Sequence, residues 1–308
     1  NDIHNTPTGT PANCIYSLGT TTTGATWNSN NTIANNNIYD FFLSTSTSIG
    51  VFITTGNRAW TITDNSFYQT VPRTLAAAQF SALNFNNTIT GDFVITNNFI
   101  GGSAPQCGGD PMTLTGSGNF RGMNMLVSGA TTVIQGNTIR NINLTTLNAT
   151  QFNGAILLGQ GTFLCEGNTI GSLTENNSIA LTFSGSGSGF AGIIAGGSSP
   201  TNTSIISNNS VGGLSMTVSG VPATNPVLRP ISVQGTTIGH NYVVTGNTVG
   251  SPTLADNITS DANVAGSLTG IISFSNAPDQ VITNNQIANM AATGTLTTNV
   301  MWGILAQG

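Results

Sequence analysis

The chain is poor in charged residues. Only 5% of its 308 residues are charged, against about 25% in typical soluble domains, and lysine is absent. The positive charges are Arg58, Arg73, Arg121, Arg140 and Arg229, and the formal net charge is −5. Because nucleic-acid backbones are bound by clusters of lysine and arginine, this composition excludes a nucleic-acid partner. Solubility must rest on Asn, Thr, Ser and Gly, which predicts an extracellular protein.

Long hydrophobic runs are also missing. The longest apolar stretches are a few residues, which is too short for a membrane span, so no membrane insertion is predicted. We find no signal peptide, and the sequence starts at Asn1 without a methionine. We therefore expect a mature product or a part of a longer protein.

Histidine and cysteine are few and scattered. His4 and His240 stand in unrelated contexts without metal-ligand spacing, and no phosphate-binding or hydrolase motif occurs. We predict no metal, no cofactor and no catalytic residue. Cys165 is predicted to be a buried thiol. Cys14 and Cys107 lie in irregular segments, and the sequence leaves open whether they form a disulfide.

What the sequence does contain is one short pattern, repeated eight times. Each copy has an apolar residue, any residue, then Asn, Asp or Gly, the anchor Asn, usually a small polar residue, and Ile, Val or Phe, as in "TVIQGNTIRNI". The anchors are 31 to 41 residues apart, a period that indicates a repeat architecture. The eight anchors are Asn31, Asn65, Asn98, Asn137, Asn168, Asn209, Asn247 and Asn285.

The columns of this pattern predict a corner between two short strands. The positions three before and two after the anchor, such as Ile134 and Ile139, are β-branched or aromatic apart from Asn28 and Cys165. The residue before each anchor is Gly, Asn or Asp, the types that tolerate a positive φ. Stacked corners would place the anchor amides about 4.8 Å apart, as a hydrogen-bonded ladder.

Other segments of each repeat also predict strands. A small residue followed by apolar alternation, as in "GMNMLV" and "GAILL", indicates another strand, and short segments at Leu173, Leu214 and Met290 suggest a third. The predicted fold is all-β: a right-handed parallel β-helix of about eight turns, with a lead-in over residues 1–20 and the repeat domain over residues 21–308. Long loops are predicted at Gly101–Phe120, Thr182–Phe190, Met216–Leu228 and Pro252–Ser267, and all but the Thr182 loop begin soon after an anchor, so they should project from one side.

Carboxylates decide whether the chain is a polysaccharide-cleaving enzyme, because glycoside hydrolysis needs two of them facing one sugar. Asp64 stands in the corner column, where Asn and Gly are interchangeable. Glu166 occupies an outward strand position and has no acidic neighbour one turn away. Asp256 and Asp261 share a predicted solvated loop. A lyase would also need a basic residue near the abstracted proton, and Arg140, which could face outward, has no other candidate residue beside it. A carbohydrate site would also need outward aromatics, for which the candidates are Trp27, Trp60, Tyr68, Tyr242 and Trp302.

The repeats resemble those of a known group of proteins. With "ITNNFIGG", "IQGNTIRNI", "CEGNTIGSL" and "ISNNSVGGL", the chain resembles the β-helical repeat regions of very large secreted surface proteins of Bacteroidota, from about Thr21 to Gly308. The resemblance implies export, commonly by a type IX system, and a role as an adhesin or surface fibre. It supplies no catalytic residues.

Two functional hypotheses follow. The first is an extracellular, cell-surface structural and adhesive protein, whose partners are further copies stacked end to end, flanking repeat domains or surface glycans. The second is a polysaccharide-binding or polysaccharide-cleaving β-helix protein. The first predicts that the anchor asparagines form a structural ladder, and the second predicts close carboxylates and stacked aromatics in an outward groove.

Overall fold

The structure is a computed structural model. It describes residues 1–4, 11–22, 26–76, 78–89, 91–146, 153–184, 189–196, 202–219, 226–235, 240–262, 267–274, 280–294 and 301–307.

The chain folds into a parallel β-solenoid of about seven complete turns, with almost no helix. Each turn contributes one strand to each of four sheets, which we number I to IV in the order in which the chain visits them. Strands of successive turns pair in parallel and in register, as in the series Ile62, Ile95 and Ile134 of sheet I. The predicted β-helix is therefore confirmed, with four strands per turn where the sequence predicted three.

The strands of sheets I and II flank the corner that contains the anchor asparagines. Sheet I consists of β4 (Thr32–Ala34), β8 (Thr61–Thr63), β12 (Val94–Thr96), β16 (Thr132–Gln135), β20 (Phe163–Glu166), β24 (Thr203–Ser207), β28 (Asn241–Thr245) and β32 (Gln280–Thr283). Sheet II consists of β1 (Asp2–His4), β5 (Asn37–Tyr39), β9 (Ser66–Tyr68), β13 (Phe99–Ile100), β17 (Thr138–Ile139), β21 (Thr169–Gly171), β25 (Ser210–Gly212), β29 (Thr248–Val249) and β33 (Gln286–Ile287).

Sheets III and IV complete each turn. Sheet III consists of β10 (Arg73–Leu75), β14 (Met112–Gly116), β18 (Ile142–Thr146), β22 (Ile179–Ser184), β26 (Leu214–Ser219), β30 (Ile258–Ser260) and β34 (Met290–Ala292). Sheet IV consists of β2 (Asn13–Ser17), β6 (Ser48–Thr54), β11 (Gln79–Asn87), β15 (Asn119–Val127), β19 (Asn153–Leu158), β23 (Gly189–Ala195), β27 (Val227–Val233), β31 (Leu268–Ser273) and β35 (Met301–Ala306). A small additional pair joins β3 (Asn28–Ser29) to β7 (Asn57–Arg58).

The core is a stack of aligned aliphatic and aromatic columns. Ile134 of sheet I and Ile139 of sheet II are fully buried, as is Cys165, which replaces isoleucine in its column. Burying one such side chain contributes about 1.5–3 kcal/mol. The strand columns predicted on either side of the anchors therefore form the interior.

Close packing across the core requires the small residue of the sheet IV pattern at Gly50 and Gly192. A Cβ added at Gly50 would lie 2.6 Å from the carbonyl oxygen of Ala82 and 2.8 Å from the ring of Phe67. At Gly192 it would lie 2.9 Å from the side chain of Val211. Sheet II packs directly on the backbone of sheet IV at these positions, so only small residues fit.

A second corner, between sheets II and III, was not predicted. Its residues also adopt a positive φ, with values of 59° at Asn141, 61° at Gly213, 51° at Asp256 and 49° at Asn289. As predicted, Leu214 and Met290 begin short strands after this corner. The prediction for Leu173 was wrong, since that residue lies in the longer connection 172–178, between β21 and β22.

The loops are shorter than the sequence suggested. Three long connections, 101–111, 172–178 and 250–257, lie at the second corner and so on one side of the solenoid. The remainder of the predicted loop Gly101–Phe120 contributes β14 and the start of β15. Residues 185–188, 220–225 and 263–266 of the other predicted loops lie outside the described part.

The segment 1–20, predicted as a lead-in without the repeat pattern, contributes to the solenoid. Strand β1 pairs in parallel with β5, and β2 pairs in parallel with β6. These residues therefore lie on the first turn. The described residues include no helix long and apolar enough to cross a membrane.

Candidate functional site

The asparagine ladder runs along the corner between sheets I and II. In seven successive steps the side-chain Nδ2 of one asparagine donates to the Oδ1 of the next, at 2.9–3.0 Å. The participating residues are Asn36, Asn65, Asn98, Asn137, Asn168, Asn209, Asn247 and Asn285. Asn1 extends the series, since its Nδ2 donates to Asn36 Oδ1 at 3.1 Å.

Each buried amide in this ladder uses both its donors and its acceptor. Asn98 Nδ2 donates to Asn137 Oδ1 at 3.0 Å and to the carbonyl oxygen of Ile62 at 2.8 Å. Asn98 Oδ1 accepts from the backbone N–H and from the Nδ2 of Asn65. A fully satisfied buried amide stabilises the fold, whereas an unsatisfied one would cost about 1–3 kcal/mol.

The assignment of Asn31 to the ladder was wrong. Its side chain is exposed, and it stands just before β4, in which Ile33 pairs with Ile62. The ladder residue of this turn is Asn36, which follows Asn35 at φ 55°. Asn30 also has a positive φ, of 57°, so two overlapping segments fit the pattern locally. Pairing with the next turn decides between them, and a single sequence does not display that pairing.

The outward face of sheet I carries two parallel rows of side chains. The first row is aliphatic over six successive turns and consists of Val94, Val133, Leu164, Ile205, Val243 and Val281. Ile205 and Val281 are 37% and 40% exposed. The second row is polar and consists of Thr63, Thr96, Gln135, Glu166, Ser207, Thr245 and Thr283. Over the six turns that carry both rows, an apolar and a polar side chain therefore repeat about every 4.8 Å.

The candidate carboxylates are dispersed. Glu166 Oε1 accepts from the corner residue Asn208, through Nδ2, at 3.1 Å, and from the hydroxyl of Ser207 in its own row at 3.4 Å. Asp64 lies at the asparagine corner at φ 56°, and Asp256 lies at the second corner. Asp261 Oδ1 accepts from the backbone N–H of Val218. The described residues include no group of three metal-ligating side chains.

The candidate aromatics are divided between core and surface. Trp60, Tyr68 and Tyr242 are buried, and Trp60 Nε1 donates to the carbonyl oxygen of Asn28 at 2.9 Å. Trp27 and Trp302 are half-buried. These five residues form no outward row, so the aromatic groove that a carbohydrate-cleaving enzyme would need is not assembled from them.

The three cysteines are free thiols. Burial raises the pKa of Cys165 to about 12, with a small opposing effect of its hydrogen bond with Asn168. Burial also raises the pKa of Cys107 to about 11, partly offset by the nearby Arg140. Cys14 lies beside β1, and its pKa is raised to about 11 by burial and by Asp40. Cys14 and Cys107 are thus not bonded to one another.

Of the two histidines, one is buried. His240 is fully buried, and its Nε2 lies 3.0 Å from the hydroxyl of the buried Ser204. Ser204 Oγ also accepts from the backbone N–H of Phe163 at 3.1 Å. His4 is exposed and stacks on Tyr39, with ring centroids 4.5 Å apart.

A polar cleft lies at the second corner, where the connections of successive turns differ in length. The walls are the loop 101–111 and the connection 172–178, and the short corner between them forms the floor. We call it the corner cleft. It has a volume of about 520 Å³, and its lining residues are Cys107, Arg140, Asn141, Glu175, Asn176, Asn177 and Ser178.

Asparagines hold both walls of the corner cleft. Asn141 Nδ2 donates to the carbonyl oxygens of Cys107 and Gly109, at 3.1 and 3.0 Å. Asn257 Nδ2 donates to the carbonyl oxygen of Glu175 at 3.2 Å, and Asn176 Nδ2 donates to that of Ala255 at 3.2 Å. The cleft is therefore formed in advance of any ligand.

Comparison of the chain with family models, with curated proteins and with solved structures finds no match. The resemblance to β-helical surface proteins therefore stays a prediction, and the fold rests on the structure itself.

Proposed function

We propose that this chain is a non-catalytic, extracellular structural and adhesive protein, a rigid β-helix module of a cell-surface adhesin or self-assembling fibre. The observation that carries this proposal is the outward face of sheet I. Its aliphatic row presents apolar surface over six successive turns, and such exposed patches commonly mark interaction sites.

The ladder supports this role by making the face stiff. Seven side-chain hydrogen bonds link the turns at the corner that borders sheet I. A rigid row of contacts loses little conformational entropy when it binds, which favours adhesion to a repetitive surface.

Further copies or flanking repeat domains are proposed as partners through the ends of the solenoid. The turn formed by β32 to β35 exposes Met301 and Ile304, at 42% and 51%. Another turn of the same kind, in a second copy or a flanking domain, would bury these side chains and pair the strand edges.

Electron microscopy of the purified protein, with a binding assay on immobilised glycans, tests the proposal. Filaments, or retention on glycan surfaces, are expected. The double variant Leu164→Ser with Ile205→Ser should reduce retention on the surface, because it interrupts the aliphatic row. Val71→Ser is a matched control, since Val71 is 49% exposed and lies outside sheet I. Isolated rods that bind no surface would contradict the proposal.

The alternative function, cleavage of a polysaccharide, is tested separately by a reducing-sugar assay with acidic and neutral polysaccharides. Sustained release of reducing ends by the purified protein would replace the structural proposal with an enzymatic one.

A further inference from the structure

We propose that the corner cleft binds an acidic saccharide, with Arg140 holding the carboxylate of a uronic-acid-type sugar residue. This would be the glycan contact of an adhesive protein, and it rests on the proposed function only for its biological role. The volume of the corner cleft, about 520 Å³, lies within the roughly 300–1,000 Å³ typical of small-ligand sites.

Arg140 supplies the anion-binding group. Within the described part of the chain, ion pairs are formed by Arg58 with Asp92 at 3.2 Å and by Arg73 with Asp40 at 2.8 Å. Arg140 forms none there, and it is half-buried in the floor of the cleft. A guanidinium presents two parallel N–H donors that match the two oxygens of a planar carboxylate.

The other lining groups suit the hydroxyls of a sugar ring. Glu175 and Asn177 are exposed on one wall, and Ser178 lies beside them. A carboxylate accepts hydrogen bonds from sugar hydroxyls, whereas an amide or a hydroxyl both donates and accepts. A ligand that combines one anionic group with several neutral hydroxyls therefore complements the cleft.

The charge balance argues against a densely charged ligand. The chain carries a net charge of −5, and Glu175 places a negative charge in the cleft itself. A sulfated or phosphorylated polymer would be repelled by both, while a single carboxylate per sugar residue requires only one cation. This favours a uronate, with one negative charge per sugar residue, over a more densely charged saccharide.

Isothermal titration calorimetry with trigalacturonate tests the proposal. We expect binding, with affinity about 10–100-fold lower for Arg140→Gln, because a charge-assisted bidentate contact is lost. Arg140→Lys should bind with intermediate affinity, since it keeps the charge and loses the fork. Arg58→Gln is the matched control, because Arg58 is an exposed arginine paired with Asp92 and lies outside the cleft.

A change in the ligand tests the same contact without altering the protein. The methyl ester of trigalacturonate, which lacks the negative charge, should bind about 10–100-fold more weakly. Equal binding of the ester, or of neutral galactotriose, would overturn the role of the carboxylate. Equal binding of inorganic phosphate would overturn the assignment of a saccharide as the ligand.

Absence of binding to the wild-type protein would also overturn this assignment, and so would equal affinity of the Arg140→Gln and Arg58→Gln variants. None of these results bears on filament formation or on the face of sheet I, so failure of the cleft proposal is distinguishable from failure of the proposed function.

Discussion

Replacement of Asn168 by alanine tests the ladder most directly. Asn168 is 1% exposed, and its Oδ1 accepts from the backbone N–H of Asn137 at 3.0 Å and from Asn137 Nδ2 at 2.9 Å. Its Nδ2 donates to the carbonyl oxygen of Ile134 at 2.9 Å and to Asn209 Oδ1 at 2.9 Å. Alanine removes these four bonds and the 3.4 Å contact of Asn168 Nδ2 with Cys165 Sγ. It leaves the backbone N–H of Asn137 without this acceptor, whereas Asn137 Nδ2 keeps the carbonyl oxygens of Ile95 and Gln135.

The expected loss of stability follows from that backbone donor. A buried group left unsatisfied costs about 1–3 kcal/mol, so Asn168→Ala should lower the free energy of unfolding by about 1–3 kcal/mol. Asn31→Ala is the control, because Asn31 fits the same sequence pattern but is exposed and outside the ladder. A surface substitution of this kind should change stability by less than about 0.5 kcal/mol.

Two measurements check this expectation. Guanidinium denaturation followed by circular dichroism gives the shift of the midpoint, although solenoids need not unfold in two states. Native-state hydrogen exchange is more local, since the amide of Asn137 should lose protection in Asn168→Ala and keep it in Asn31→Ala. Equal stability of the two variants, with unchanged protection of Asn137, would refute the ladder argument.

The remaining predictions concern packing and the buried thiols. Gly50→Ala should destabilise the protein by about 1–3 kcal/mol in thermal or chemical denaturation, because the added Cβ would lie 2.6 Å from the carbonyl oxygen of Ala82. Gly167→Asn is the control and should be nearly neutral, since other turns have asparagine at this corner position. The high pKa of Cys165 predicts no alkylation at pH 8 in the native protein and rapid alkylation in denaturant; labelling of the native thiol at the denatured rate would contradict its burial. Folding raises the pKa of Cys165 from 9.0 to about 12, so its contribution to stability is complete below pH 9 and is lost as the pH rises towards 12. Cys165→Val should therefore flatten the fall in stability at alkaline pH. An unchanged slope of stability against pH would argue against a raised pKa.

The repeat columns were predictable because they depend on local chemistry. A corner residue with positive φ must be Gly, Asn or Asp, and the flanking strand residues that point inward must be apolar. Asn137 and Asn168 could therefore be assigned from the pattern alone, together with the burial of Cys165. The second corner carried a similar local signal, at Asn141 and Asn289, but its residues precede strands of sheet III directly and no fixed anchor marks them.

The sequence by itself determined the fold class, the ladder from Asn65 onward and the scarcity of charge, because each depends on residue types that recur at every turn. Only the tertiary structure decided between Asn31 and Asn36, since that choice depends on which residues of the next turn lie opposite. Only the tertiary structure brought Arg140 together with Glu175. These residues are distant in sequence, and they line the same cleft because the short corner after β17 lies between two longer connections. Stacking of turns converts differences in loop length into surface shape, and a single sequence does not display that geometry.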